Sequence, residues 1–154
     1  MTDAVLITAG NKRIGKAIAL ELSKAGFYLF LHHHDSIEEA TETLAECAGA
    51  GQIIKCDLGD YAQVEDMLLH IGRSDQQLRH IVNNASLFSV DNALDFDEET
   101  FSDHMNINLR GPMQLSRGLY GLLKEGECGS VVNILDSKVF ALNADFFSYT
   151  IIFS

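Results

Sequence analysis

Residues 4–15, A-V-L-I-T-A-G-N-K-R-I-G, constrain the fold of this chain more than any other stretch. Ala4, Val5, Leu6 and Ile7 form a continuous β-rich apolar run without alternation, the pattern of a parallel strand covered on both faces. From Ile14 onward, Ala17, Ile18, Leu22 and Ala25 recur at a helix period. Residues 8–13 must therefore turn tightly between strand and helix. Such a turn leaves backbone N–H groups free at a helix N-terminus, where a pyrophosphate is attracted.

Charge agrees with that reading. The chain has 11 basic and 22 acidic residues for a net −11, which opposes a nucleic-acid surface, yet Lys12, Arg13 and Lys16 gather at this one turn. Length and 47% apolar content suit one ordered domain over residues 1–154. Cys47, Cys56 and Cys128 are odd in number and widely spaced, as reduced thiols are. The N-terminus lacks the basic region of a signal peptide, and no apolar run approaches the ~18 residues of a membrane span, so a cytoplasmic location is expected.

Further along, Gly26 closes the first helix and residues 27–33 make a second apolar and aromatic strand. His32, His33 and His34 follow, but alternate strand residues point to opposite faces, so no metal site is expected from the triplet. Ser36 and Glu39 read as a capping box opening a helix with Ile37, Ala40, Leu44 and Cys47 on one face. A third strand at residues 52–56 leads to Asp57-Leu58. Asp60 and Gln63 make a second capping pair, which leaves Asp57 for a ligand, and Val64, Met67, Leu68 and Ile71 stripe the third helix.

The fourth strand, residues 78–82, delivers Asn83-Asn84-Ala85-Ser86 to the carboxyl edge of the sheet, where ligands bind in open α/β folds. A long helix then carries Phe101, Met105, Leu109, Leu115, Leu119 and Leu122. Asn108 is a poor choice for packing at its middle, and Gly111-Pro112 permits a kink there. Residues 131–135 read as a fifth buried strand that ends on Asp136-Ser137. The expected architecture is a Rossmann-type, doubly wound parallel sheet in three α/β/α layers, in the order 3-2-1-4-5, lacking the last strands and helices. Its outer edge would then be open to pairing with another chain.

These motifs resemble the short-chain dehydrogenase/reductase family. The loop from Thr8 to Gly15 is similar to that family's T-G-x-x-x-[G/R]-x-G, with Ala9 and Arg13 where small residues are usual, and Lys12-Arg13 is the form seen in its pteridine-reductase branch. His34 and Ser36 match that branch's His-Arg-Ser, with Asp35 in place of the arginine. Asn83-Asn84-Ala85 is the family hallmark, and Ser86 after it is again the pteridine-reductase form. Asp136, thirteen residues before Tyr149, matches the branch as well.

The resemblance implies a cofactor held by Thr8, Gly10, Lys12, Arg13, Ile14, Gly15, His34, Asp35, Ser36, Asp57, Leu58, Asn84, Ala85 and Ser86. Lys12, Ser36 and the overall resemblance imply NADPH, whereas Asp35 would repel a 2′-phosphate if it pointed inward, which leaves NADH possible. A pterin-like carbonyl or imine substrate would meet Arg13, Ser86, Phe88, Asp136 and Tyr149. Tyr149 would be the proton donor, Asp136 its relay, and Asn108 the link to water through a backbone freed by the kink. A tyrosine titrates near 10, however, and the family lowers it with a lysine four residues on, where this chain has Phe153. Severely reduced turnover is expected. A homo-oligomer formed through the long helix is expected. The alternative is a non-catalytic module that binds adenine nucleotide through Arg13 and Asp57 and associates with full-length subunits through that helix.

Overall fold

The structure, a computed structural model, describes residues 3–142 and 144–152. Five parallel strands form one sheet in the order β3-β2-β1-β4-β5. They are β1 (Asp3–Ile7), β2 (Tyr28–His33), β3 (Gly51–Lys55), β4 (Gln77–Asn83) and β5 (Ser130–Asn133). The expected order holds, and so do the three layers. Alternation divides the strand side chains between two cores. Leu6, Phe30 and Ile81 meet α3 (Tyr61–Gly72) and α5 (Gly111–Leu122) through Val64, Leu68, Leu115 and Leu119. Val5, Ile7, Leu29 and Leu31 meet α1 (Arg13–Lys24) and α2 (Ile37–Glu46) through Ala19 and Ala40.

The first helix differs from its apolar pattern. Its buried line is Gly15, Ala19 and Ser23, while Ile14 is 59% exposed and Ile18 and Leu22 are only partly covered. Small residues at that spacing let the helix backbone sit close to the sheet. Gly26, at φ +91°, ends it as expected: the Gly26 N–H bonds Ser23 O and the Phe27 N–H bonds Leu22 O, the paired bonds of a Schellman cap.

The expected long helix runs as α4 (Glu98–Met105), a π-helical turn Asn106–Arg110, and α5. The wide turn precedes Gly111-Pro112, where the sequence allowed a kink. A short helix, α6 (Phe147–Ile152), completes the described chain. The fifth strand keeps the open edge expected of it, but the reading of a buried run over residues 131–135 is corrected: all of β5 is exposed, Val131 by 37% and Val132 by 50%, and Ile134 and Leu135 lie beyond its end. No strand or helix among the described residues packs on its outer edge, so the apolar run stays uncovered. Among the described residues no helix is long and apolar enough to cross a membrane.

Candidate active site

The turn after β1 is built from three directions. Thr8 is buried, and its hydroxyl is fully committed: it donates to Val82 O (3.3 Å) and accepts the N–H groups of Asn84 and Ala85 (2.9 Å each). The Asn84 side chain donates to Thr8 O (3.0 Å) and Ala9 O (3.1 Å). These two residues therefore shape the loop from within. Ala9 and Arg13 both lie at φ +48°, a left-handed backbone that disfavours residues with a Cβ. Arg13 stands there in place of a glycine, and it forms no ion pair among the described residues. The first turn of α1 has no bond from its N-cap side chain and no acid to neutralise its N-terminal amides.

His32 was missed as a site residue. Its Nδ1 accepts the Ala9 N–H (3.0 Å) and its Nε2–H donates to Cys56 O (2.9 Å), which ties the loop to the end of β3. Burial lowers its pKa to about 4, outweighing the Cys56 bond that acts in the opposite direction. The sequence signal was available in the triplet itself, since alternation turns one histidine toward the loop after β1. His33 points away and is buried, with neither ring nitrogen partnered among the described residues.

A pH dependence follows from His32. The fold favours the neutral ring, so its contribution to stability is complete above pH 6.5 and is lost as pH falls toward 4. That amounts to about 3 kcal/mol for a shift of this size. Urea unfolding at pH 7 and pH 4 is expected to show this extra loss in the parent and not in His32→Gln.

The end of β2 carries paired charges. His34 Nδ1 lies 3.2 Å from Asp35 and its Nε2 4.0 Å from Asp57, while Lys12 lies 3.5 Å from Glu39. Two expectations change here. Ser36 is the N-cap of α2 but makes no side-chain cap bond, and the Glu39 carboxylate, the other half of the expected box, turns instead to Asn11 (2.9 Å) and Lys12. Asp57 is not left wholly to a ligand, since its Oδ1 accepts the Gly59 N–H (2.8 Å). Asp60 and Gln63 do cap α3 as expected, and Gln63 also accepts the Asp57 N–H (3.0 Å). Leu58 is a further correction: its side chain lies in the α3–α5 core, where apolar burial holds it, rather than at a ligand surface.

At the other end of the rim, the Tyr149 hydroxyl donates to Asp136 Oδ2 (3.4 Å). Burial raises the Tyr149 pKa. A hydrogen bond from Ser86 opposes the shift, and the negative charge of Asp136 adds to it. Phe88 is 53% exposed; it stacks on Phe146 at 4.3 Å and meets Tyr149 edge-on at 4.8 Å. Asn108, in the π-helical turn, uses its side chain to clamp Leu87, donating to its carbonyl and accepting its N–H at 2.8 Å each. A cleft of about 390 Å³ opens beside these groups and is lined by Asn83, Ser86, Asn108 and Ile134. The buried Asn83 Oδ1 has no partner among the described residues.

The structure thus gathers Thr8, Gly10, Asn84 and Ala85 at one turn and Ser86, Phe88, Asp136 and Tyr149 at another, joined by residues 84–86. His34, Asp35 and Asp57 form a third group, with Ile14 and Arg13 exposed at the loop. Phe153 lies outside the described residues.

A family model described as short chain dehydrogenase matches residues 3–150. A sepiapterin reductase of Chlorobaculum tepidum is 31% identical over 145 residues, covering 85% of this chain and 57% of the relative. The short chain dehydrogenase tazN of Aspergillus terreus is 28% identical over 156 residues, 96% of this chain and 34% of the relative. Among solved structures, FolM alternative dihydrofolate reductase 1 from Brucella canis, complexed with NADP, is 33% identical with a TM-score of 0.87. It covers 97% of this chain and 62% of its own. The chain therefore spans less than two thirds of the length of each of these proteins.

Proposed function

The chain belongs to the short-chain dehydrogenase family, and from that premise we propose that it is an NADPH-dependent reductase of a pterin or similar carbonyl or imine, with turnover held down by its weak proton donor. The observation that carries this reading is the Tyr149 hydroxyl bonded to Asp136 beside Ser86 and Phe88, on the rim that also holds the turn after β1. Similarity to a sepiapterin reductase and to an alternative dihydrofolate reductase crystallised with NADP supports the substrate class and the cofactor.

The residues fit a dinucleotide. The uncapped first turn of α1 and the exposed Arg13 suit a pyrophosphate, Lys12 and His34 suit the ribose end, and the unpartnered Asn83 Oδ1 suits a donor in the cleft. When bound, a nicotinamide cofactor supplies the hydride.

This chain's own groups supply the proton and the orientation. Tyr149 stays protonated at neutral pH and donates from its hydroxyl to the atom being reduced. Asp136 accepts that hydroxyl in the resting site and orients it, Ser86 holds the phenol from the other side, and Asn108 fixes the loop that carries Ser86 and Phe88. The exposed Met113 and Tyr120 on α5 suit a homo-oligomer formed through that helix.

Fluorescence titration with NADPH, followed by dihydrobiopterin, tests the reading. Saturable binding of both is expected. Tyr149→Phe should cut the residual NADPH oxidation at least about tenfold with the NADPH Kd within about twofold. A Tyr149→Phe chain as fast as the parent would remove Tyr149 from the reaction.

A further inference from the structure

His104, Ser148 and Asp91 form a buried polar cluster beside Tyr149 to which the chemistry above gives no part. His104 and Ser148 are each 0% exposed and Asp91 is 7% exposed. His104 Nε2 accepts the Ser89 N–H (3.1 Å), which assigns the ring hydrogen to Nδ1, and Nδ1 donates to Ser148 Oγ. Asp91 accepts the Ser148 N–H on both carboxylate oxygens (3.2 and 3.1 Å), capping the start of α6 from a distant segment. Its carbonyl also accepts the Phe147 N–H (3.4 Å).

One helical turn after His104, on the same face, Asn108 clamps Leu87. The loop leaving β4 is thus pinned to one helix at Leu87 and again at Ser89. The second pin continues through the imidazole to the residue that precedes Tyr149. The His104 ring also meets the Tyr149 ring edge-on at 6.0 Å.

We propose that His104 is a positioning residue that locks the loop bearing Ser86 and Phe88 to the first turn of α6, so that the substrate-contacting side chains and the Tyr149 hydroxyl hold one fixed relation. This rests on the reading of Ser86, Phe88 and Tyr149 given above. Burial lowers the His104 pKa against the opposing charges of Asp91 and Asp103, which keeps the ring in the neutral form that the two bonds require. A buried network of this kind is rigid because each broken bond leaves a desolvated polar group.

Residue-resolved hydrogen exchange separates this role from simple core packing. Ser148→Ala is a small truncation in α6, yet it is expected to speed exchange of the Leu87 and Ser89 amides by about tenfold or more. It is also expected to weaken dihydrobiopterin binding to the NADPH-loaded chain by about tenfold while the NADPH Kd stays within about twofold. Asp91→Asn, which keeps an acceptor for the Ser148 N–H, should preserve more protection than Asp91→Ala. His104→Leu should act like Ser148→Ala, and Ser148→Ala decides the matter if His104→Leu does not fold.

Unchanged exchange at Leu87 and Ser89 in Ser148→Ala, or equal weakening of both ligands, would overturn the proposal. A parent chain that binds neither ligand would instead overturn the reductase reading, and the exchange measurement would still decide whether loop and helix are coupled.

Discussion

Phe153→Lys is expected to raise the rate of NADPH oxidation with dihydrobiopterin by about a hundredfold or more. Burial raises the Tyr149 pKa, and the charge of Asp136 raises it further, so the proton donor is poorly matched to neutral pH. A cation four residues on would favour the phenolate. A drop of roughly two to three pKa units corresponds to about 3–4 kcal/mol in the proton-transfer step. The gain should vanish in Tyr149→Phe/Phe153→Lys, because the lysine acts through the phenol. Stopped-flow absorbance at the NADPH band measures both. Equal rates in the parent and Phe153→Lys, both near those of a competent reductase, would overturn the proposal of impaired turnover.

Gly15→Ala should cause the largest loss of cofactor binding. A Cβ at this position would lie 2.1 Å from Ala9 O, a backbone atom, and 2.7 Å from Asn84 Nδ2, the end of a side chain held by its bonds to Thr8 O and Ala9 O. The Ala9 carbonyl belongs to a turn fixed by His32 and Asn84, so the turn and α1 must separate. The NADPH Kd is expected to rise about a hundredfold, and stability to fall by about 1–3 kcal/mol, as overpacking at a rigid contact costs. Gly121→Ala is the control. That glycine lies in α5 with no atom within 4 Å of its added Cβ, and its replacement should leave binding unchanged and stabilise the helix by about 1 kcal/mol. Calorimetric titration together with urea unfolding distinguishes the two.

The residues that made the architecture legible are those with periodicity and with turn chemistry. Ala4, Val5, Leu6 and Ile7 announce a strand covered on both faces, and they are buried on both. Gly26 announces a helix end and adopts it. Asp136 and Tyr149, thirteen positions apart, meet in space because the fifth strand delivers one and a following short helix the other.

Other features were hidden because a sequence pattern reports a residue's type rather than its partner. Glu39 looks like half of a capping box, but the nearer Asn11 amide and Lys12 ammonium take it. Residues 131–135 look buried because apolar runs usually are, and whether a neighbour covers such a run is a tertiary fact. His104 looks like an ordinary polar residue, and its role comes from a backbone N–H group 15 positions away that only the fold brings near.

The central claim is that a nicotinamide nucleotide lies along the rim from the turn after β1 to Tyr149. Amide NMR shifts of the parent chain during NADPH titration test it most directly. Saturable shifts are expected to concentrate at residues 8–15, 34–36 and 83–86, with the Gly15→Ala chain unresponsive at the same NADPH concentrations. No saturable shift, or shifts scattered over α3 and the far end of the sheet with the rim unmoved, would contradict it.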